Sequence, residues 1–247
     1  PSMANNELSG PLIQILLYLK LKKLKQRKFN YLFVINPETI GSICFIHKNL
    51  KFLKENIFSG LVLTCLGGPQ KKLSYKLSRM GDSVFDRYFK KLAKSKKIDI
   101  RKFDPTGSDE RQYCSSEVNL PIGQLARTVY GKNKEYHTSA DNKKFVKLEK
   151  FEKTANEIFD FIRDNENQTF LRRQQPYCEL QLGKRGLYPN INSPLTQKDS
   201  SDEIHKSKAQ LNIIQNILTS ADGVTSLSDL KISSIYKEET IKHFYKK

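Results

Sequence analysis

Apolar positions along the chain fall into two alternating rhythms. Between residues 8 and 28 they recur at helical spacing, with Leu12, Ile13, Leu16, Leu17 and Leu19 inside "PLIQILLYLKLKKLK", which predicts a buried amphipathic helix. "YLFVIN" (31–36) is a short apolar run rich in β-formers and ended by Pro37, and reads as a strand. "TIGSICFIHKNLKFLKEN" returns to the helical period, and "GLVLTCLGG" (60–68) is a second buried strand closed by two glycines. "DSVFDRYFKKLAKS" (82–95) predicts a helix that Asp82 can cap. "KIDIRKF" and "NLPIGQLART" supply two more strands, and "VKLEKFEKTANEIFDFIRD" (146–164) is the clearest amphipathic helix. Strands alternating with helices of this length predict an α/β fold, a mostly parallel sheet flanked by helices.

The rhythm stops after residue 165. A polar, turn-rich stretch follows, and helical spacing returns in "KAQLNIIQNIL", "VTSLSDLKIS" and "KEETIKHFYKK", with a "SADG" turn after the first. The expected organisation is therefore an α/β domain over 1–168, a connector over 169–205 and a small helical module over 206–247.

Composition narrows the picture. In 247 residues, 38% hydrophobic and 10% aromatic content is enough for a real core. The longest apolar run meets Lys20 and then repeated lysines, so no membrane span is expected. The formal charge is +17, from 43 Lys and Arg against 26 Asp and Glu. That balance attracts nucleic acid or acidic polymers. The lysines are dispersed, however, and no basic stripe is interleaved with aromatics, so nucleic acid is not the favoured partner. Cys44, Cys65, Cys114 and Cys178 form no CxxC pair, which argues against a zinc knuckle and for a reducing, cytoplasmic setting. The chain opens with Pro1-Ser2 rather than Met and reads as a fragment.

In α/β sheets, sites gather where loops leave the carboxyl ends of strands. The loops to inspect are "NPETIGS", "CLGGPQKK", "DPTGSDERQYC" and "EYHTSADN". Glu38 follows a strand directly; a carboxylate there serves as general base, as metal ligand, or simply as an acidic residue in a helix's first turn. His137 is either a metal ligand, which Asp141 could orient, or an ordinary loop histidine. Asp109, Glu110 and Arg111 form either a solvated turn or an ion-paired network lining a cleft. Asn5, Asn6 and Glu7 precede a helix whose Ser-Gly start could cap it or bring main-chain N–H groups to a ligand. His47, His205 and His243 read as surface residues.

Taken in order, "NNELSG", "PETIGS", "LTCLG", "GSDERQYC" and "YHTSADN" resemble the zinc aminopeptidase family that includes leucyl-type aminopeptidases and glutaminyl cyclases. The likeness is greatest to a bacterial aminopeptidase-like branch, some members of which are linked to polysaccharide biosynthesis. In that branch a winged-helix module follows the catalytic domain, which residues 206–247 and the linker "QLGKRGLYP" would match. The resemblance implies hydrolysis of a peptide, amide or amidated-sugar substrate, with zinc polarising the carbonyl and a glutamate taking the proton of water. It casts His137 as a zinc ligand, Glu38 as base or ligand, and Asn6 with Glu7 at the position of the bridging carboxylate. Asp109, Glu110, Arg111, Tyr136 and Asp141 would shape the pocket. The departures are Asn6 for an aspartate, Thr39 for the second of paired glutamates, and Thr64 for a further aspartate. Pro1-Ser2 resembles the end of a segment that carries another histidine, just upstream of residue 1. One zinc ion in the intact protein is therefore the expectation, held weakly or not at all by this fragment. The rival reading is an inactive relative that binds nucleic acid or an anionic glycan.

Overall fold

The structure, a computed structural model, describes residues 3–95, 97–175, 177, 180–186 and 201–229, with the backbone alone for 201–209. The chain divides into two units, Pro1–Asn167 and Gln168–Lys247.

The first unit is built on four strands: β1 (Gly60–Leu63), β2 (Leu73–Lys76), β3 (Ile98–Arg101) and β4 (Ile122–Ala126). Their spatial order is β1-β4-β2-β3. β1 runs parallel to β4 and β2 parallel to β3, while β2 and β4 are antiparallel. The helices are α1 (Ser9–Lys22), α2 (Ile40–Asn56), α3 (Val84–Lys94), the single turn α4 (Glu110–Tyr113) and α5 (Leu148–Glu166). The fold is thus α/β with a mixed sheet, as the alternating pattern predicts.

Strand alternation sorts the two faces. Leu73, Tyr75, Ile98 and Leu125 point into one core, filled by Ile13, Leu17 and Leu21 of α1, Phe89 of α3, and Phe151, Ala155, Ile158 and Ile162 of α5. Each fully buried side chain of this size contributes about 1.5–3 kcal/mol. On the other face Ile122 packs with Ile46 and Leu53 of α2, Tyr113 and Leu120. Beside that cluster the same face is polar yet buried: Ser74, Lys76 and Gln124 are 5% exposed or less. Lys76 donates to Glu110 Oε1 at 3.0 Å, and Gln124 Nε2 to Glu110 Oε2 at 3.1 Å, which ties α4 to the sheet.

Three expectations need correction. "YLFVIN" is not a strand. Residues 31–36 have no ladder partner among the described residues, and Leu32, Phe33 and Ile35 are 54%, 36% and 64% exposed. The cap of α3 is Ser83, not Asp82: Ser83 Oγ accepts from Asp86 N at 3.1 Å, and Asp86 Oδ2 accepts from Ser83 N at 2.9 Å. This is a reciprocal capping box. The third correction lies in the second unit. There α6 (Ser201–Ser220) is followed by β6 (Asp222–Ser226), antiparallel to β5 (Phe170–Arg172), and by a 3-10 turn at Leu227–Asp229. "VTSLSDLKIS" therefore opens as strand and turn rather than helix. The Asp222 carboxylate accepts from Val224 N and Thr225 N, and β-branched Val224 and Thr225 suit a ladder. "KEETIKHFYKK" lies outside the described residues.

Candidate functional site

Beyond the carboxyl end of β1, loops 4–8, 64–68 and 135–142 are knotted together. The hub is Asp141, 4% exposed. Its Oδ1 accepts from Asn5 N at 2.6 Å, its Oδ2 from Asn6 N at 3.0 Å, and its main-chain oxygen from Ala4 N at 3.1 Å. Buried Asn5 extends the knot, its Oδ1 accepting from Gly67 N at 2.8 Å. Ser9 Oγ accepts from Leu66 N at 2.9 Å and donates to the Asn5 carbonyl. Charged acceptors on main-chain amides make strong bonds, so Asp141 clasps loop 4–8, while Asn5 and Ser9 tie that loop to the buried 64–68 segment.

Cys65 lies inside this knot. It is wholly buried, has φ +51°, and its thiol donates to Asn6 Oδ1 at 3.2 Å. Burial pushes the thiol up to about 11, with the carboxylates of Asp141 and Glu38 adding to the rise. Glu38 is itself exposed, and its Oε1 accepts from Ser108 Oγ at 2.8 Å. Next to it Thr39 has φ +63°. Asp109 holds that turn: Oδ1 accepts from Thr39 N and Oδ2 from Ser42 Oγ, both at 2.7 Å. The carboxylate thereby satisfies donors at the start of α2. Arg111 Nη2 donates to Thr39 Oγ1 at 3.2 Å.

His137 is exposed, has φ +56°, and stacks on Tyr136 with ring centroids 3.9 Å apart. Burial raises the Tyr136 phenol, helped by Cys65 and by the Glu38 carboxylate. Tyr130 stands 6.3 Å from Tyr136, and Arg101 lies over the Tyr130 ring at 5.4 Å while donating to its hydroxyl at 3.3 Å.

The sequence-derived candidates thus separate into groups. Glu38, Tyr136 and Asp141 share one electrostatic neighbourhood around Cys65. His137 joins it through the Tyr136 stack, and Asn6 through the Cys65 thiol. Asp109 and Arg111 border it as supports of the Glu38 turn. Glu7 is exposed on the 4–8 loop. Glu110 sits apart from the group, fully buried against Lys76; burial raises its carboxyl and the lysine opposes the rise. Cys65, Ser108, Arg101 and Tyr130 are members that sequence reasoning missed. The cysteine spacing tests only for pairs, and nothing local marks a single thiol as the centre of a loop knot.

A tetrahedral zinc site takes three or four N, O or S donors. Among the described residues no three His, Cys, Asp or Glu side chains form a group that could hold a metal. Both Asp141 oxygens are committed to amides, and Asn6 is uncharged with its oxygen on Cys65. The donors present do not fit zinc. Among the described residues, no helix is long and apolar enough to cross a membrane.

Residues 1–168 match the model of a domain of unknown function, DUF4910, and residues 169–245 match a winged helix-turn-helix model. A Clostridium acetobutylicum protein is 36% identical over 245 residues, 98% of this chain and 53% of that protein. It carries the provisional name polysaccharide biosynthesis protein with aminopeptidase-like domain. The crystal structure of a provisionally named peptidase from Clostridium acetobutylicum matches with a TM-score of 0.65 at 34% identity, over 98% of this chain and 52% of that one. The Legionella pneumophila LapA aminopeptidase matches at 15% identity with a TM-score of 0.54, over 67% of this chain and 47% of that one, and shows likeness of fold alone. This chain spans about half the length of the Clostridium relatives it matches.

Proposed function

The chain belongs to the family described as a domain of unknown function, DUF4910, and from that premise we propose that it is an aminopeptidase-like hydrolytic domain acting on a peptide or amide bond. The observation that carries the reading is the neighbourhood of Glu38 and Tyr136, with the His137 ring on Tyr136, beside the Asp141 knot. Glu38, exposed and accepting a hydrogen bond from Ser108 Oγ, would be the group that takes a proton from water at the lip of the site. Tyr136 and His137 give a flat aromatic wall for a substrate side chain or sugar ring. Positive-φ backbone at Thr39 and His137 marks a constrained turn in each loop. No step is assigned to zinc, because the donors present do not fit it. The Clostridium relative is named for polysaccharide biosynthesis, and we therefore include amidated sugars among the candidate substrates.

The test is release of the chromophore from aminoacyl anilides and from amidated-sugar anilides. Turnover by the chain that falls at least tenfold in Glu38→Gln, with the folded state unchanged by circular dichroism, supports the reading. Turnover indifferent to Glu38→Gln overturns the role of Glu38, and no turnover on either panel overturns the hydrolase.

A second reading, an inactive relative that binds an anionic glycan or nucleic acid, is favoured by uncharged Asn6, Thr39 and Thr64 and by the +17 charge. Binding to heparin or DNA that weakens steeply with salt would support it.

A further inference from the structure

Arg101 ends β3 on the polar face of the sheet and is partly buried. Its ladder partner is Lys76, so two cations lie side by side. Lys76 takes the carboxylates of this face. Its Nζ lies 3.0 Å from Glu110 Oε1 and 3.2 Å from Asp104 Oδ1. Arg101 is left with neutral groups: Nε donates to Ser74 Oγ at 3.0 Å, Nη2 to Gln124 Oε1 at 2.6 Å and Nη1 to Tyr130 Oη at 3.3 Å. Gln124 stands between Arg101 and Glu110, since its Nε2 donates to Glu110 Oε2 at 3.1 Å. Among the described residues Arg101 therefore has no ion-pair partner. A charge drawn partly out of water without a counter-charge is costly.

The guanidinium is also held in place. Ser74 and Gln124 are buried, and the Tyr130 ring lies 5.4 Å from the guanidinium carbon. That ring sits tightly against the next loop, where a Cβ at Gly107 would overlap its hydroxyl. One N–H on each Nη is unspent by these bonds, and a carboxylate is the acceptor that such a fork matches best. The place is the candidate site. Tyr130 is 6.3 Å from Tyr136, whose ring carries His137, and Arg101 and Glu38 both act on the Cys65 thiol. Arg111, beside the Glu38 turn, repeats the pattern: Nη2 donates to Thr39 Oγ1, and Nε is buried without a hydrogen-bond partner among the described residues. The loop of Tyr130 and Tyr136 adds charge of the same sign. Residues 130–144 hold exposed Lys132, Lys134, Lys143 and Lys144 against Glu135 and Asp141, and Asp141 is committed to amides.

We propose that Arg101 is a specificity-determining residue that binds a carboxylate of the substrate, so that the amide acted on belongs to an acidic amino acid, as in a glutamyl or aspartyl peptide. The assignment rests on the hydrolytic reading for the reaction and on the setting of Arg101 for the selectivity. The substrate carboxylate takes the N–H groups that Ser74, Gln124 and Tyr130 leave, and supplies the counter-charge that the sheet withholds. A neutral substrate of the same shape leaves both N–H groups unmet.

The experiment compares glutamyl with glutaminyl ligands, which match in size and differ in charge. Calorimetry of the 247-residue chain with the α-amides of glutamate and glutamine is expected to give a Kd about tenfold lower for the glutamate amide, with the difference shrinking as salt rises. The acidic-over-neutral ratio of kcat/KM on the matching anilides should follow, and both ratios should fall towards one in Arg101→Gln. Arg101→Lys, which keeps the charge and loses the fork, should restore part of the preference. Equal Kd for the two amides in the wild-type chain overturns the proposal, whether or not any anilide is cleaved and without any variant having to fold. A preference that survives in folded Arg101→Gln overturns the assignment to Arg101. Carboxylate-selective binding lost in Arg101→Gln, with neither anilide cleaved, supports the assignment and counts against the hydrolase alone.

Discussion

Strands β1 and β2 reverse the usual relation between composition and burial. β2 reads LSYK and every residue is buried, Lys76 fully so; β1 reads GLVL and every residue is only partly buried. Position in the sheet decides. β2 lies between β3 and β4, so its polar residues must find partners inside, and Lys76 finds Glu110, Asp104 and the Thr106 carbonyl. β1 pairs with β4 alone and has no second strand partner among the described residues. The contrast teaches that burial in this sheet follows a strand's place, central or edge, rather than its polarity.

The largest break in that comparison is expected at Lys76. Lys76→Ala leaves buried Glu110 without its cation, with Gln124 still donating to it, and should cost about 3–5 kcal/mol in urea denaturation. A double variant, Lys76→Met with Glu110→Leu, should recover most of the loss. Asp141→Ala comes next. It orphans the Asn5 and Asn6 amides at the end of β1 and should cost about 3 kcal/mol by the same measurement. Gly10→Ala forces α1 off the Leu63 carbonyl, a backbone contact that cannot yield, and should cost about 2 kcal/mol. The smallest effect is in pH. Cys65 is raised from 9.0 to about 11, so its contribution is fully present below pH 9 and is lost as pH climbs through 11. In a variant with Cys65 as sole cysteine, ultraviolet thiolate absorbance should therefore rise near pH 11, whereas an inflection near 9 would show the knot to be open.

Much of the first unit was legible because its signals are local. The apolar periods of α1, α2 and α5 and the runs at β1, β3 and β4 fix element types without reference to partners. β2 was missed because a lysine and a serine in four residues hide a central strand. Residues 31–36 misled for the converse reason: β composition states what a segment can pair with, not whether the partner is there. At the site, Asp141 and His137 were identifiable as residue types, but the role of Asp141 was not. It grips main-chain amides 135 and 136 positions away, and no spacing rule encodes that. Glu110 was read into the pocket because it follows Asp109, whereas one turn of helix sends it under the sheet.

Asp141 holds the backbone of residues 5 and 6 and ignores the side chain at 6. The identity of residue 6 is therefore tied to the fold only through the Cys65 thiol that its oxygen accepts. An aspartate in place of Asn6 would keep the same amide clasp and could still accept from the Cys65 thiol, so the lip of this site can gain or shed a negative charge in one substitution while the architecture beneath it stays as it is.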